Sequence, residues 1–286
     1  MIYLKNFKLP NNEMESNIRD PRQIYNGNYY PLGLFSSKEL TNIDFENITI
    51  FYGTNGSGKT TLLNIISNKL NASRNNGINK VTNFDNYVSV CKFEMANNKP
   101  AEIKVVSSDD VFDYLLDIRS INNHINRRKD TLGEEWIKNK YTSSDYSIND
   151  YEKIKASYDA RHQTQSAYIR NRLSNNLVEQ SNGESALMFW EREIKENAIY
   201  LLDEPENSLS ADNQLKLKQF IEDSARFYNC QFIISTHSPF LLNLLEAKIY
   251  NLDQTPVSIQ KWSELPNMKL YYEFFKERKD EFENEN

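Results

Sequence analysis

Residues 48–63 read ITIFYGTNGSGKTTLL, a run that changes character twice within sixteen positions. Ile48 to Tyr52 are apolar or β-branched and predict a strand, while Leu62, Leu63, Ile66 and Leu70 recur at helical spacing in the segment that follows. Between them lie three glycines. Strand, glycine loop and helix in that order are the setting that a phosphate-binding loop requires. Gly53, Gly56 and Gly58 let the backbone turn tightly, so that successive N–H groups of Thr54, Asn55 and Ser57 point at phosphate oxygens, and the helix adds its positive end. Lys59 is expected to reach the β- and γ-phosphates, Thr60 to place its hydroxyl on Mg²⁺, and Thr61 to complete the loop's contact with the nucleotide.

Such a loop serves kinases, GTPases, motors and transporters alike, so the rest of the chain must choose among them. AIYLLDEPEN, 198–207, is an apolar strand ending in acids. That ending puts Asp203 at the carboxyl edge of a sheet beside the loop, suited to hold Mg²⁺ through water, and leaves Glu204 free to act as general base toward an attacking water. IISTHSPFLL, 233–242, places His237 just past another buried strand, at the same edge as Asp203 and within reach of a γ-phosphate. SNGES, 181–185, precedes the helical pattern ALMFWEREIK. Ser181 and Gly183 offer donors at a helix N-terminus, and Ser181 with Glu184 also fits a capping box; the two readings are compatible.

Read outward, the 286 residues suffice for a large core. Residues 1–9 alternate as a half-buried strand, 10–36 read as a long loop, and ELTNIDFENITIFYG reads as two strands. YVSVCKFEM and AEIKVVS read as further strands separated at Pro100. SSDDVFDYLLDIRSINNHI reads as a helix capped by Ser107 or Ser108, and the polar stretch 130–180 reads as helical. Continuous apolar runs such as AIYLL and FII suit strands of a parallel sheet buried on both faces. KIYNLD and VSIQKW read as a short strand pair before a C-terminal helix. The expected fold is α/β: a mostly parallel P-loop sheet flanked by helices, with a small antiparallel β part and an inserted helical subdomain. Its parts are 1–110, about 111–190, and about 191–286 of a single domain.

Composition narrows the partners. A net charge of −6 argues against a surface built wholly for nucleic acid. RHQTQSAYIRNR, 161–172, interleaves three arginines with a tyrosine and no acid, a pattern that either tracks a phosphate backbone or forms a solvated helix face. Cys91 and Cys230 lie in apolar stretches and read as buried thiols of a reducing compartment; with three scattered histidines they make no metal spacing. The 17 tyrosines and 15 phenylalanines must mostly be packed. No run approaches the roughly 18 apolar residues of a membrane helix, and the N-terminus lacks a signal-peptide core, so a cytoplasmic chain is expected.

The ordered set GTNGSGKT, SNGE, LLDEP, SLSAD and STH resembles the ATPase domain of the ABC superfamily over about residues 48–245. More narrowly it is similar to the soluble branch that holds SMC-type and DNA-repair ATPases and stand-alone bacterial ATPases of the predicted AAA type. The resemblance implies ATP as the nucleotide and Mg²⁺ as its metal. It also implies that Ser181 and Gly183 meet the γ-phosphate bound to an opposite subunit, that His237 is the switch histidine, and that Glu204 is the hydrolytic base. One loop and one signature per chain imply a homodimer with two ATPs sandwiched head to tail. The family's glutamine loop has no clear counterpart; Ser108 or Asp109 holds its place in order. Tyr25, Tyr29, Tyr30 and Phe35 are candidates for stacking on adenine. A stand-alone ATPase acting on nucleic acid or on an effector protein, of DNA-repair or phage-defence type, is the first reading. The ATP-binding subunit of a membrane transporter is the alternative.

Overall fold

The computed structural model describes residues 1–18, 29–75, 83–141, 151–173, 182–207 and 209–283, with backbone alone at 151–154 and 182–185. In chain order the elements are β1 (Leu4–Lys8), α1 (Asn12–Ile18), β2 (Asn42–Asp44), β3 (Ile48–Tyr52), α2 (Lys59–Lys69), α3 (Phe84–Val90), β4 (Lys92–Met95) and β5 (Glu102–Ser107). There follow α4 (Ser108–Tyr141), α5 (Tyr151–His162), α6 (Gln165–Arg170), α7 (Asn182–Glu193), β6 (Ala198–Asp203), α8 (Ala211–Phe227) and β7 (Gln231–Ser235). The chain ends with α9 (Pro239–Leu242), β8 (Lys248–Asn251), β9 (Ser258–Gln260), α10 (Pro266–Glu277) and α11 (Lys279–Glu283).

Six strands form one sheet in the order β5-β6-β7-β3-β8-β9, parallel except for the β8–β9 pair. β3 and β7 are buried at every position, which is why their sequences read as unbroken apolar runs. Leu62, Leu63, Ile65 and Ile66 of α2 are at most 1% exposed, each stabilising the packing of the helix by about 1.5–3 kcal/mol. Parallel register brings the carboxyl ends of β3, β6, β7 and β8 to one edge, with Asp203 opposite Ser235 and Tyr52 opposite Asn251. Asp203 and the loop after β3 meet at that edge.

β2, β1 and β4 make a small antiparallel sheet. Gln231, fully buried at the start of β7, ties it to the large one. Its Nε2 donates to Leu4 O at 2.8 Å and to Glu46 O at 3.1 Å, and its Oε1 accepts from the Tyr3 and Leu4 N–H groups at 2.9 and 2.8 Å. All its polar valences are met, as burial demands.

By internal contacts the chain divides into two compact units, Met1–Val111 with Ala186–Asn286, and Phe112–Ser185. The second is helical and packs Leu132, Ala160 and Tyr168 against Trp136, Ile169 and Leu173. In it, Arg172 pairs with Asp159 at 2.7 Å and lies over the Tyr168 ring. One of the three arginines of 161–172 thus serves the unit's own packing, with Asp159, just outside that stretch, as its acid.

Three local expectations are corrected. YVSV is helical, because Phe84, Tyr87 and Val88 share one buried helical face, and the strand starts only at Lys92. The stretch expected as loop from residue 10 contains α1, which buries Glu15. Aromatic residues are not mostly packed at the chain's end: Tyr271, Tyr272, Phe274, Phe275 and Phe282 on α10 and α11 are exposed. Of the two candidate caps at the start of α4, Ser107 takes the part: its hydroxyl oxygen accepts from the Asp110 N–H at 3.4 Å, and its own N–H and hydroxyl donate to Asp110 Oδ2 at 2.8 Å.

Candidate nucleotide site

The loop between β3 and α2 is held to one shape by what surrounds it. A Cβ on Gly53 would lie 2.5 Å from Ser57 Oγ, so only glycine lets the loop close on itself. Gly58, at φ +103°, precedes α2 in the left-handed region, and a Cβ there would press on Leu34 and Phe35. Lys59 is buried inside this curve, its Nζ donating to Gly53 O at 2.8 Å and Thr54 O at 3.3 Å. Burial lowers its pKa, and the surrounding acids, Glu204 and Asp203 foremost, oppose that shift.

Across the edge, Asp203 ends β6, and its Oδ1 accepts from the Thr60 hydroxyl at 3.1 Å. Burial raises the Asp203 pKa against its hydrogen bonds. A serine- or threonine-type hydroxyl and a carboxylate this close are a pair of hard oxygen donors. They fit Mg²⁺, which takes one or two carboxylates and completes its shell with water and phosphate. Among the described residues no group of three or more His, Cys, Asp or Glu forms a self-sufficient metal cage.

The next residue turns away. Glu204 adopts φ +49°, an uncommon conformation for a non-glycine residue, with its N–H donating to Ser235 O at 2.9 Å. Glu204 Oε2 accepts from Asn207 Nδ2 at 3.0 Å, and Oε1 stands 3.7 Å from His237 Nε2, too far for a hydrogen bond. Burial lowers the His237 pKa, the Lys59 charge adding to it and Glu204 and Asp253 opposing it, which favours the neutral imidazole. His237 Nε2 is buried without a hydrogen-bond partner among the described residues. Tyr30, Leu34, Asn55, Gly56, Thr61 and Glu204 line a cleft of about 360 Å³ over the loop.

A family model described as ABC transporter matches residues 41–207, more than half of the chain. The chain belongs to the ABC transporter family. A second model, described as an AAA ATPase domain, matches residues 184–242. Both describe nucleotide-hydrolysing domains, and this ABC-family chain is an ATPase. Among solved structures it is similar to an inward-facing putative metal-chelate type ABC transporter (18% identity, 79% of this chain and 76% of that one, TM-score 0.38). It is also similar to the SMC head domain from Thermotoga maritima (15%, 91% and 99%, TM-score 0.43). A third is the Smc head domain with an extended coiled coil bound to the C-terminal domain of ScpA, derived from Pyrococcus furiosus (15%, 96% and 100%, TM-score 0.41). A search of curated proteins returned no match.

In this ABC-family ATPase the expected residues of the loop, Asp203, Glu204 and His237 all lie at one sheet edge. Ser181 lies outside the described residues, and Gly183 is described only as backbone within α7. Of the adenine candidates, Phe35 is excluded: it is fully buried beneath Gly58 as part of the core. Tyr30 is 41% exposed beside the loop, its hydroxyl bonded to that of Thr61. Tyr25 is outside the described residues. Ser108 is half-buried at the start of α4, next to the Ser107 that pairs with Asp203, whereas Asp109 is exposed.

Three residues that sequence reasoning passed over brace the site. Lys38 Nζ donates to Ser57 O at 2.7 Å and Leu252 O at 2.6 Å. Asp253, just past β8, accepts from the Thr54 N–H at 2.8 Å and from its hydroxyl at 2.9 Å. Glu206 receives the loop after β7. Asp253 carries the same signal that identified Asp203, an acid at the end of a parallel strand, but β8 reads in sequence only as half of a hairpin. Asp253→Ala frees the first turn of the loop. The expected result is a KM for ATP raised about tenfold with kcat little changed, in steady-state kinetics; an unchanged KM would show that the loop holds its shape without it.

Proposed function

We propose that the protein is a stand-alone ATPase that hydrolyses ATP·Mg²⁺ in a head-to-tail homodimer and couples the cycle to a nucleic acid or a protein effector, as repair and defence ATPases do. The observation that carries the chemical part is the juxtaposition at one sheet edge of Thr60 and Asp203, 3.1 Å apart, with Glu204 turned toward His237. Loop N–H groups and Lys59 bind the phosphates, and Thr60 and Asp203 hold Mg²⁺. When bound, the metal neutralises charge on the phosphate oxygens. Glu204 takes a proton from water as its oxygen attacks the γ-phosphorus; the bond to the β-phosphate oxygen breaks, and ADP and phosphate leave. The neutral His237 ring offers Nε2 toward the γ-phosphate, and Lys59 opposes the charge that accumulates on the transferred group.

The dimer is testable by mixing. Lys59→Ala and Ser181→Arg are each expected to be inactive, since each spoils both composite sites of its homodimer. Mixed in equal amounts they regain about a quarter of wild-type turnover, because half the dimers are mixed and each of those holds one intact site. No recovery on mixing would mean that each chain completes its own site. A second reading, the energising subunit of a transporter, is favoured by the description of the family model. Among the described residues no helix is long and apolar enough to cross a membrane. ATPase stimulation by DNA or RNA that falls steeply with salt would favour the nucleic-acid version.

A further inference from the structure

Glu206 lies two residues beyond the base assigned above, in the same turn, and is 8% exposed. A buried carboxylate is costly unless donors converge on it. Here three do. Its Oε1 accepts from the Thr236 hydroxyl at 2.6 Å, from the His237 N–H at 2.7 Å and from the Ser238 N–H at 3.0 Å. Those donors are consecutive residues of the loop after β7, and the middle one roots the histidine. The other oxygen, Oε2, is buried with no hydrogen-bond partner among the described residues.

We propose that Glu206 is a positioning residue: it fastens the loop that carries His237 to the turn that carries Glu204, and so fixes the spacing between imidazole and base. The inference rests on the roles given to those two residues. A turn needs no carboxylate at this place, and the helix that follows does not either. Ser238 already caps α9, its hydroxyl accepting from the N–H groups of Phe240 and Leu241 at 3.2 Å. Three donors from consecutive residues converge on this one oxygen, and hydrogen bonds to a carboxylate are shorter and stronger than those to a neutral acceptor. Glu204, by contrast, has among the described residues one donor on its carboxylate, Asn207 Nδ2 at 3.0 Å, and faces His237 across 3.7 Å without a bond between them. Nothing in that pair itself keeps the gap constant. Glu206 does so from behind, through the backbone.

The test compares kcat and KM for Mg·ATP in Glu206→Ala, Glu206→Gln, His237→Ala and the double variant Glu206→Ala/His237→Ala. Glu206→Ala is expected to lower kcat about 10- to 100-fold, the scale set by misplacing a reacting group by an ångström, with KM little changed. Glu206→Gln recovers part of that loss, because its amide oxygen still accepts at the Oε1 position. The double variant turns over no more slowly than the slower single one, since the two residues act through one contact. Thr236→Val, which removes a single donor, gives a smaller loss in the same direction and serves if the alanine variant does not fold. Losses that multiply in the double variant, or a wild-type kcat in Glu206→Ala while His237→Ala is slow, overturn the clamp alone. A His237→Ala enzyme of wild-type kcat overturns the role of the histidine and the clamp with it.

Discussion

Glu204→Gln is expected to bind ATP with near-normal affinity and to turn it over about 10²- to 10⁴-fold more slowly, the span that a positioned general base contributes. The two side chains have nearly the same shape. The amide still accepts from Asn207 Nδ2, now 3.0 Å from the carboxylate, and the backbone still bonds to Ser235 O at φ +49°. What is lost is the capacity to take a proton from water. If hydrolysis is what opens the dimer, the variant accumulates as an ATP-bound dimer, visible by size exclusion with Mg·ATP and absent with ADP. Single-turnover rates separate this from slowed product release. Turnover at the wild-type rate would remove Glu204 from the reaction.

Lys59→Ala is expected to fail one step earlier. Lys59 is 5% exposed, and its ammonium donates to carbonyls of its own loop, Gly53 O and Thr54 O. Burial lowers its pKa, a desolvation cost that the nearby carboxylates reduce and that phosphate oxygens would offset more fully. Removing it takes away a charge aimed where negative charge develops. A loss of about 10²- to 10³-fold in kcat/KM is expected, carried by weakened binding as well as by kcat. Fluorescent-nucleotide titration measures the binding part, and the circular dichroism spectrum confirms that the sheet has formed. Unimpaired binding would mean that the loop N–H groups suffice and that Lys59 serves the loop's shape alone.

Where the sequence could be read, local geometry was the reason. A glycine loop between an apolar strand and an amphipathic helix specifies its own turn, since Gly58 at φ +103° and Gly53 against Ser57 follow from steric rules acting within a few residues. Asp203, Glu204 and His237 could be placed because a strand buried on both faces must end where its polar residues begin. The run YVSV failed for the complementary reason: four residues do not distinguish a period of two from one of three and a half, and burial on one helical face decided it. Phe35 looked available as an aromatic near the loop, and packing turned it inward under Gly58.

The sequence by itself determined that this chain makes a phosphate loop, a strand-end acid pair and a histidine beyond a second strand, because each is written into contiguous residues whose backbone has few alternatives. Only the tertiary structure decided that Asp253 closes on Thr54, that Lys38 bridges Ser57 and Leu252, and that Glu206 grips Thr236, His237 and Ser238. Those contacts join segments up to 214 positions apart. They exist because parallel register stacks four strand ends at one edge, and no property of a single segment announces which loop its neighbour in the sheet will bring.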